Sequence, residues 1–251
     1  MELSWTQSFD FYMATTDGVP IAFLVDMAAH SHLPVVTHPT LLVVKVALKI
    51  PARNGLRNDK EFVEHTTAED VLVDTLRDRA DAIYVGRHMT QGTVWYHFYL
   101  PGDVADIDHA VISKFVRMPG YECQVALSED PDWERYARLY PGSFHRNTMD
   151  NRVLQAQLEA QGDRLSRRRV VDHVAYFPSE AAANEAVPKL KKYKFATDQL
   201  GGPDDSGLYM LEFHRKDRCD GQYPDLASAQ ILDSIEPSGG EYDGWSCLVR
   251  R

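Results

Sequence analysis

Three histidines stand close together in the segment AAHSHLPVVTHP, at positions 30, 32 and 38. On an extended chain, side chains two residues apart share a face, so the rings of His30 and His32 could bind zinc together with His38. A solvent-facing loop of titrating histidines explains the same pattern. No CxxC pair is present among the three cysteines, so a zinc site built on such a pair is excluded. We expect no metal site and no cofactor.

A cysteine in the segment RKDRCDGQYPD is a second chemical candidate. Cys219 lies five residues after His214. A catalytic thiolate needs a neighbouring histidine or a helix N-terminus to lower its pKa, and nothing in the sequence orients His214 towards the thiol. Phosphate-binding glycine loops, the G-x-S-x-G elbow and H-E-x-x-H are missing as well. The sequence therefore predicts no catalytic residues and a protein that is not an enzyme.

Two predicted strands near the C-terminus contain the third candidate group. Asp172 and His173 fall in one strand, and Asp243 and Trp245 fall in another. A buried histidine paired with a carboxylate could act as an acid-base catalyst, and a structural histidine is the alternative. The Asp243-Gly244 dipeptide within a strand predicts a β-bulge that re-aims Trp245, which we expect to be mostly buried.

The overall charge restricts the class of partner. The chain of 251 residues has 27 Lys and Arg against 37 Asp and Glu, a net charge of −10. Such a surface repels phosphate backbones, so we expect no direct binding to nucleic acid. It attracts basic proteins, although acidity also serves solubility. With no apolar run long enough for a membrane helix and few cysteines, we expect a cytoplasmic protein that does not enter membranes.

Hydrophobic periodicity predicts the same element order twice. In the first part of the chain we predict strands and helices in the order β-α-β-β-α-β over residues 41–127. The order returns over residues 169–249, with a helix capped by Ser179 and another over 223–235. This order is the ferredoxin-like split pattern. The predicted fold class is therefore α+β, with two tandem ferredoxin-like modules.

Additional elements flank the first module. The dipeptide Asp17-Gly18 predicts an N-terminal β-hairpin, and SEDPDWERYARLYP (128–141) predicts a helix with Asp130 as its cap. We predict an N-terminal domain over 1–146, a polar connecting helix or linker over 147–164, and a C-terminal domain over 165–251.

The C-terminal module resembles a known family at specific residues. The strand and helix RRVVDHVAYFPSEAAANEAVPKL and the ending GGEYDGW resemble the regulator of ribonuclease E activity B family over about residues 165–251. Two positions depart from that family, with Lys194 in place of a usual glycine and Ser246 in place of a frequent glutamate. The matching motif positions, which we expect to be structural, are Asp172, His173, Tyr176, Phe177, Glu241, Tyr242, Asp243, Gly244 and Trp245.

The N-terminal module resembles a family without established activity, the domain of unknown function 695. The resemblance rests on Trp5 and Tyr12 before the Asp17-Gly18 turn, on YVGR (84–87) and on DPDWERYARLYP. It implies the organisation of the module and no mechanism.

The first resemblance implies a protein inhibitor. Members of the regulator family bind an endoribonuclease of the ribonuclease E type, whose disordered scaffold is rich in arginine, and reduce RNA cleavage. Charge-assisted contacts could dock an acidic surface on that scaffold. The sequence suggests four exposed contact residues in two loops, Asp204, Asp205, Asp217 and Asp220. Two other functions stay open, an enzyme using the region of His173, Asp243 and Trp245, or a small-ligand sensor with a site between the modules.

Overall fold

The computed structural model describes residues 3–251 and divides the chain into two compact units, the first ending at Pro141 and the second beginning at Gly142. Both units are mixed α+β, and each contains one antiparallel sheet. The division falls earlier than the domain boundary predicted at residue 146. The helix expected to connect the units is instead part of the second unit. None of the helices in residues 3–251 combines the length and the apolar character needed to cross a bilayer.

The first unit has a six-stranded sheet with three helices. Its elements are β1 (Phe9–Thr16), β2 (Val19–Asp26), β3 (Thr40–Ala47), α1 (Asp59–Ala80), β4 (Ile83–Thr90), β5 (Thr93–Leu100), α2 (His109–Phe115), β6 (Cys123–Glu129) and α3 (Glu134–Leu139). The strand order is β1-β2-β4-β5-β3-β6, and every neighbouring pair is antiparallel.

Local signals in the sequence explain how these elements begin and end. The predicted hairpin is confirmed: Asp17 and Gly18 both have positive φ, as a tight two-residue turn between β1 and β2 requires. Helix α1 begins at Asp59. The Asn58 side chain accepts hydrogen bonds from the backbone N–H groups of Lys60 and Glu61 and caps the first turn.

The main core of the first unit lies between one sheet face and the first two helices. Leu42, Val44 and Val46 alternate along β3 and are fully buried against Leu72 and Leu76 of α1. Burying an apolar side chain of this size stabilises a fold by about 1.5–3 kcal/mol. Apolar residues that recur every two positions in β3 and every four positions in α1 therefore form this core.

The helix predicted within residues 128–141 is present as the shorter α3, and aromatic rings pack beside it. The buried ring of Trp133 stacks on Tyr99 of β5 with centroids 3.8 Å apart. Asp130 still caps the helix, because its carboxylate accepts hydrogen bonds from the N–H groups of Glu134 and Arg135 and from the Tyr99 hydroxyl. The helix is only six residues long.

The second unit has a four-stranded sheet and three helices. Its elements are α4 (Ser143–Ala160), β7 (Arg169–Phe177), α5 (Glu180–Lys192), β8 (Ala196–Gly201), β9 (Tyr209–Asp217), α6 (Tyr223–Ile235) and β10 (Glu241–Cys247). The strand order is β10-β7-β9-β8, again antiparallel throughout. Ser179 caps α5 as predicted, with its hydroxyl accepting from the Ala182 N–H. The buried side chains of Phe177, Phe213, Leu190 and Ile231 belong to the core of this unit.

The second unit includes α4 because polar contacts join this helix to α6. The buried Asn151 side chain donates hydrogen bonds to Asp225 Oδ1 at 2.8 Å and to Ser228 Oγ at 3.3 Å. Sequence periodicity missed this packing, since α4 presents few apolar residues and is joined to its neighbour through an amide.

A bulge in β4 depends on one glycine. The register between β4 and β5 shifts between Tyr84 and Gly86, and Gly86 has φ of +137°. A Cβ atom at this position would collide with the backbone carbonyl oxygen of Leu24 in β2. Only glycine allows both this φ and the close approach of the two strands.

We expect Gly86→Ala to lower the free energy of unfolding by about 2–4 kcal/mol, because it adds a steric collision to an unfavourable φ. Gly18→Ala is the matched control, since Gly18 also has positive φ but has open space around its Cβ position. The control should cost about 1 kcal/mol. Urea denaturation of both variants measures the difference, and equal losses would contradict the role assigned to the collision.

Candidate functional site

The motif positions of the second unit lie on the paired strands β7 and β10. His173 is opposite Trp245, and Asp172 is opposite Ser246. The register shifts between Tyr242 and Gly244, where Gly244 has φ of +111°. The predicted β-bulge at Asp243-Gly244 is therefore confirmed.

His173 is part of the core of this unit. Its side chain is 2% exposed, stacks on Phe213 and meets Phe195 edge-on. The Nδ1 atom forms a hydrogen bond of 2.7 Å with the hydroxyl of Tyr242. Burial, together with the positive charge of Arg215, lowers the pKa of His173 to about 3. The imidazole is therefore neutral at physiological pH.

The structure does not join His173 to Asp243. The Asp243 side chain is exposed at the bulge, and the polar partner of His173 is Tyr242. The cavity that His173 lines with Trp245 and Cys219 has a volume of about 10 Å³, which is the size of one water molecule. The acid-base pair considered from the sequence is not formed, and this cavity has no room for a substrate.

The other motif positions alternate across β7 and β10. Asp172 and Glu241 are exposed, Tyr176 and Tyr242 are half-buried, and Phe177 is buried in the core. This alternation is that of a sheet with one covered face.

A shallow cleft opens between α4 and the bulge of β10. It has a volume of about 230 Å³, and Asp150, Asn151, Asp243 and Trp245 are among its lining residues. The indole Nε1 of Trp245 donates a 2.7 Å hydrogen bond to Asn151 Oδ1. Trp245 is half-buried, in contrast to the prediction that it is mostly buried, because its ring lies at this cleft. The sequence missed the contribution of Asn151, since a lone asparagine in a polar helix gives no signal.

The four acidic loop residues are not brought together. Asp204 and Asp205 are exposed before β9, whereas Asp217 and Asp220 lie at its other end. Nine residues of strand separate the two pairs by about 26 Å.

The two acidic pairs also differ in their partners. Asp217 forms an ion pair of 2.6 Å with Arg215, and Asp220 pairs with Arg218, which lowers the pKa of the Asp220 carboxyl. Asp204 caps its own turn by accepting from the Ser206 and Leu208 N–H groups.

The histidines of the first unit are not arranged as metal ligands. His30 and His32 lie in a short 3-10 helix, not on an extended chain, and stack on Tyr140 and Trp5. His38 is buried and its Nε2 forms a hydrogen bond with the carbonyl oxygen of Asp81. Within residues 3–251, no three His, Cys, Asp or Glu side chains are grouped as a metal site.

A pair of cysteines near the end of β10 was not foreseen. The Sγ atoms of Cys219 and Cys247 are 3.9 Å apart, and His214 is engaged with Asp198 instead of the thiol. The hydrogen bond between the two thiols and the charge of the neighbouring Arg169 lower the pKa of Cys247, whereas the same hydrogen bond and burial raise that of Cys219. Cys219 is therefore the member of the pair that keeps its proton more readily.

Two family models match this chain. The family of unknown function DUF695 matches residues 7–140, and the regulator of ribonuclease activity B family matches residues 148–247. The chain belongs to the DUF695 family, and residues 148–247 match the model of the regulator family. Both resemblances identified from the sequence are confirmed. The second match begins within α4, in agreement with the place of this helix in the second unit.

Other comparisons add little. No curated protein matches the chain. A crystal structure of an unknown protein from Galdieria sulphuraria aligns with 84% of this chain and 99% of its own length, at 11% identity and a TM-score of 0.22. These values are too low to indicate a shared fold.

Trp245→Phe should lower the free energy of unfolding by about 1–3 kcal/mol, because it leaves the buried Oδ1 of Asn151 without its donor. In the Asn151→Ala background the same substitution should cost about 1 kcal/mol less, since the acceptor is gone. A double-mutant cycle from urea denaturation measures this coupling. Additive effects would contradict an energetic role for the hydrogen bond.

Acidification should destabilise the chain through His173. An unfolded histidine has a pKa near 6.5, whereas that of His173 in the folded protein is about 3. Below pH 6.5 the unfolded state therefore binds the extra proton, and the stability present at neutral pH is lost as the pH falls towards 3. Between pH 7 and pH 5 the difference in unfolding free energy between the wild type and His173→Asn should shrink by about 2 kcal/mol. Denaturation at the two pH values measures it, and a constant difference would contradict the buried neutral ring.

Proposed function

We propose that the second unit binds an endoribonuclease of the ribonuclease E type and modulates its cleavage of RNA. The observation that carries the proposal is the match of residues 148–247 to the regulator of ribonuclease activity B family. The matched residues fall within one compact unit, which supports transfer of the function to this region as a whole. The protein would then act in the cytoplasm, on a protein partner, with no chemistry of its own.

We also propose that both units are ferredoxin-like. The strand order β10-β7-β9-β8 is the order expected when two β-α-β units share one antiparallel sheet. In the first unit the strands β6-β3-β5-β4 follow the same order, and the hairpin β1-β2 extends the sheet beyond β4.

The net charge gives limited support for binding a basic scaffold. Residues 142–251 contain 15 Lys and Arg against 17 Asp and Glu, a net charge of −2. Most of the acidity of the chain is therefore in the first unit. Attraction of an arginine-rich segment by the second unit must depend on local carboxylates.

Asp204 and Asp205 suit such a contact better than the other loop pair. Both are exposed, and neither forms an ion pair with another residue of 3–251. Asp217 and Asp220 are already paired with arginines of this chain. An exposed pair contributes about 0.2–1 kcal/mol, so the proposed contact is weak at each residue and depends on several together.

The cleft at the β10 bulge is a second place for an arginine. Asp243 offers an exposed carboxylate beside the half-buried ring of Trp245. A guanidinium can pair with the first and stack on the second.

Calorimetric titration of the full chain with the purified arginine-rich segment of a ribonuclease E-type enzyme tests the proposal. We expect direct binding. Its affinity should fall as the salt concentration rises from about 50 to about 300 mM, because mobile ions screen exposed charges. We expect no binding to the RNA substrate alone, and slower cleavage of that RNA by the enzyme when the chain is present.

Asparagine variants locate the contact. Asp204→Asn with Asp205→Asn removes two charges, while the amide oxygen introduced at position 204 can still accept the turn hydrogen bonds, so binding should weaken about 3- to 10-fold. Asp103→Asn with Asp106→Asn makes the same change at exposed positions of the first unit and should have no effect. Equal binding by all three proteins would reject the loop, and no binding by the wild type would reject the proposed function.

A further inference from the structure

A cleft of about 480 Å³ lies beside the N-terminal half of α1 in the first unit. Its walls include residues of β1, β2 and β4 and of the segment from Leu56 to Thr66. The added hairpin extends the sheet beyond the helix, so the sheet face next to α1 is left open. This volume falls within the range of small-molecule sites.

Arg87 reaches this cleft from the bulge of β4. Gly86 allows the bulge, and the next residue turns its guanidinium towards α1. The Nε group of Arg87 donates a 2.7 Å hydrogen bond to Glu69 Oε1, and the arginine side chain is 15% exposed. Among residues 3–251, its two terminal nitrogens have no acceptor, yet they are not sealed from solvent.

Arg57 enters the cleft from a loop that is fixed in place. Gly55 accepts a hydrogen bond from the Gly92 N–H and packs so tightly on the β4-β5 turn that a Cβ atom would lie 2.8 Å from the Gln91 backbone. Arg57 itself forms a β-bridge with Pro51. These contacts fix the backbone from which the Arg57 side chain extends.

Only part of the Arg57 guanidinium is used by the protein. Nη1 donates to His65 Nδ1 at 3.0 Å and to Thr66 Oγ1 at 3.1 Å, and the group lies 4.3 Å above the ring of Phe62. Because arginine can only donate, Nδ1 of His65 is the acceptor and its Nε2–H donates to the hydroxyl of Tyr96. Nε and Nη2 of Arg57 have no acceptor within the described residues.

Arg57 and Arg87 are two cations near Glu69, which forms an ion pair with Arg87. Burial, and after it the charge of Arg87, lower the pKa of Arg57, while the charges of Glu69 and Glu61 act in the opposite direction. Asp59 is the carboxylate among the residues that line the cleft, and it is exposed to water at the rim.

The Glu61 carboxylate also acts on Arg57, but it accepts its hydrogen bonds from the N–H groups of Lys49 and Ile50 and from the Tyr121 hydroxyl. In the described part of the chain, Arg57 therefore has no carboxylate bonded to it, and an anion between the two guanidinium groups would relieve their repulsion.

Apart from Asn58 and Thr66, the remaining walls of the cleft are apolar. They include Phe23, Leu24, Phe62 and Met89, and the Phe62 side chain is 52% exposed. Aromatic and aliphatic walls with a few convergent donors are typical of sites for small organic molecules.

We propose that this cleft binds a small organic anion, with its carboxylate or phosphate group between Arg57 and Arg87 and a flat apolar body against Phe62 and Leu24. The guanidinium donors match the planar, multivalent acceptors of such groups. The site lies wholly in the DUF695 unit and is independent of the ribonuclease partner proposed for the second unit.

Calorimetric titration of the full chain with four probes tests the site. Phenyl phosphate and benzoate should bind saturably with a 1:1 stoichiometry and compete with each other. Phenol, which lacks the charge, and inorganic phosphate, which lacks the apolar body, should each bind at least about 10-fold more weakly. Absence of saturable binding by both phenyl phosphate and benzoate overturns the proposal, as does equal affinity for phenol. Equal affinity for inorganic phosphate and phenyl phosphate also overturns it.

Matched variants assign the binding to the cleft. Arg57→Gln should weaken phenyl phosphate binding at least about 10-fold, because it removes a charged donor. Arg53→Gln makes the same change at an exposed position of the same loop outside the cleft and should alter binding by less than about 2-fold. Equal losses in the two variants overturn the site.

Two further substitutions keep the test decisive if Arg57→Gln does not fold. Asp59→Asn removes a carboxylate at the rim and should tighten phenyl phosphate binding a few-fold. Phe62→Ala removes an exposed apolar wall on which Arg57 also packs, and it should weaken the binding of phenyl phosphate more than that of inorganic phosphate. Unchanged phenyl phosphate binding in both variants overturns the assignment.

Discussion

The alternation of side chains across an antiparallel sheet is the constraint on which both units depend. Each sheet has a face that must be covered, and the core of each unit forms where helices cover it. In the first unit, β3 turns Leu42, Val44 and Val46 towards α1. In the second, β7 turns Ala175 and Phe177 inward while Asp172 stays in water. Residues of the sheets that the helices do not cover remain available for binding.

Both candidate sites lie at a β-bulge that contains a glycine. In β10 the bulge at Gly244 exposes Asp243 beside Trp245, and in β4 the bulge at Gly86 turns Arg87 towards α1. A bulge adds a residue to one strand and thereby changes the direction in which the following side chain points. A glycine-containing β-bulge therefore lies at an acidic cleft in the second unit and at a basic cleft in the first.

Local signals predicted much of this structure. The Asp17-Gly18 hairpin, the Ser179 cap and the bulge before Trp245 each depend on residues close in sequence, and all three are present. The family matches agree with both resemblances. These features could be predicted because a turn, a cap or a bulge requires particular residue types at short spacing.

The features that the sequence did not reveal depend on distant residues. The amide of Asn151 joins α4 to a helix more than seventy residues later, and His173 has Tyr242 as its partner in place of Asp243. Arg57 and Arg87 meet at one cleft only because a loop and a strand pack on the same helix. Hydrophobic periodicity carries no information about which residues distant in sequence come into contact.

The sign of the charge around the first unit has a kinetic consequence for its cleft. Residues 1–141 contain 12 Lys and Arg against 20 Asp and Glu, so an approaching anion first meets repulsion and only at short range the two guanidinium groups. Mobile ions screen the outer field over about 8 Å at physiological ionic strength but act much less on contacts inside the cleft. Salt therefore speeds the entry of an anion more than it weakens its retention. A basic partner of the chain experiences the opposite effect, since the same ions remove the field that draws it in.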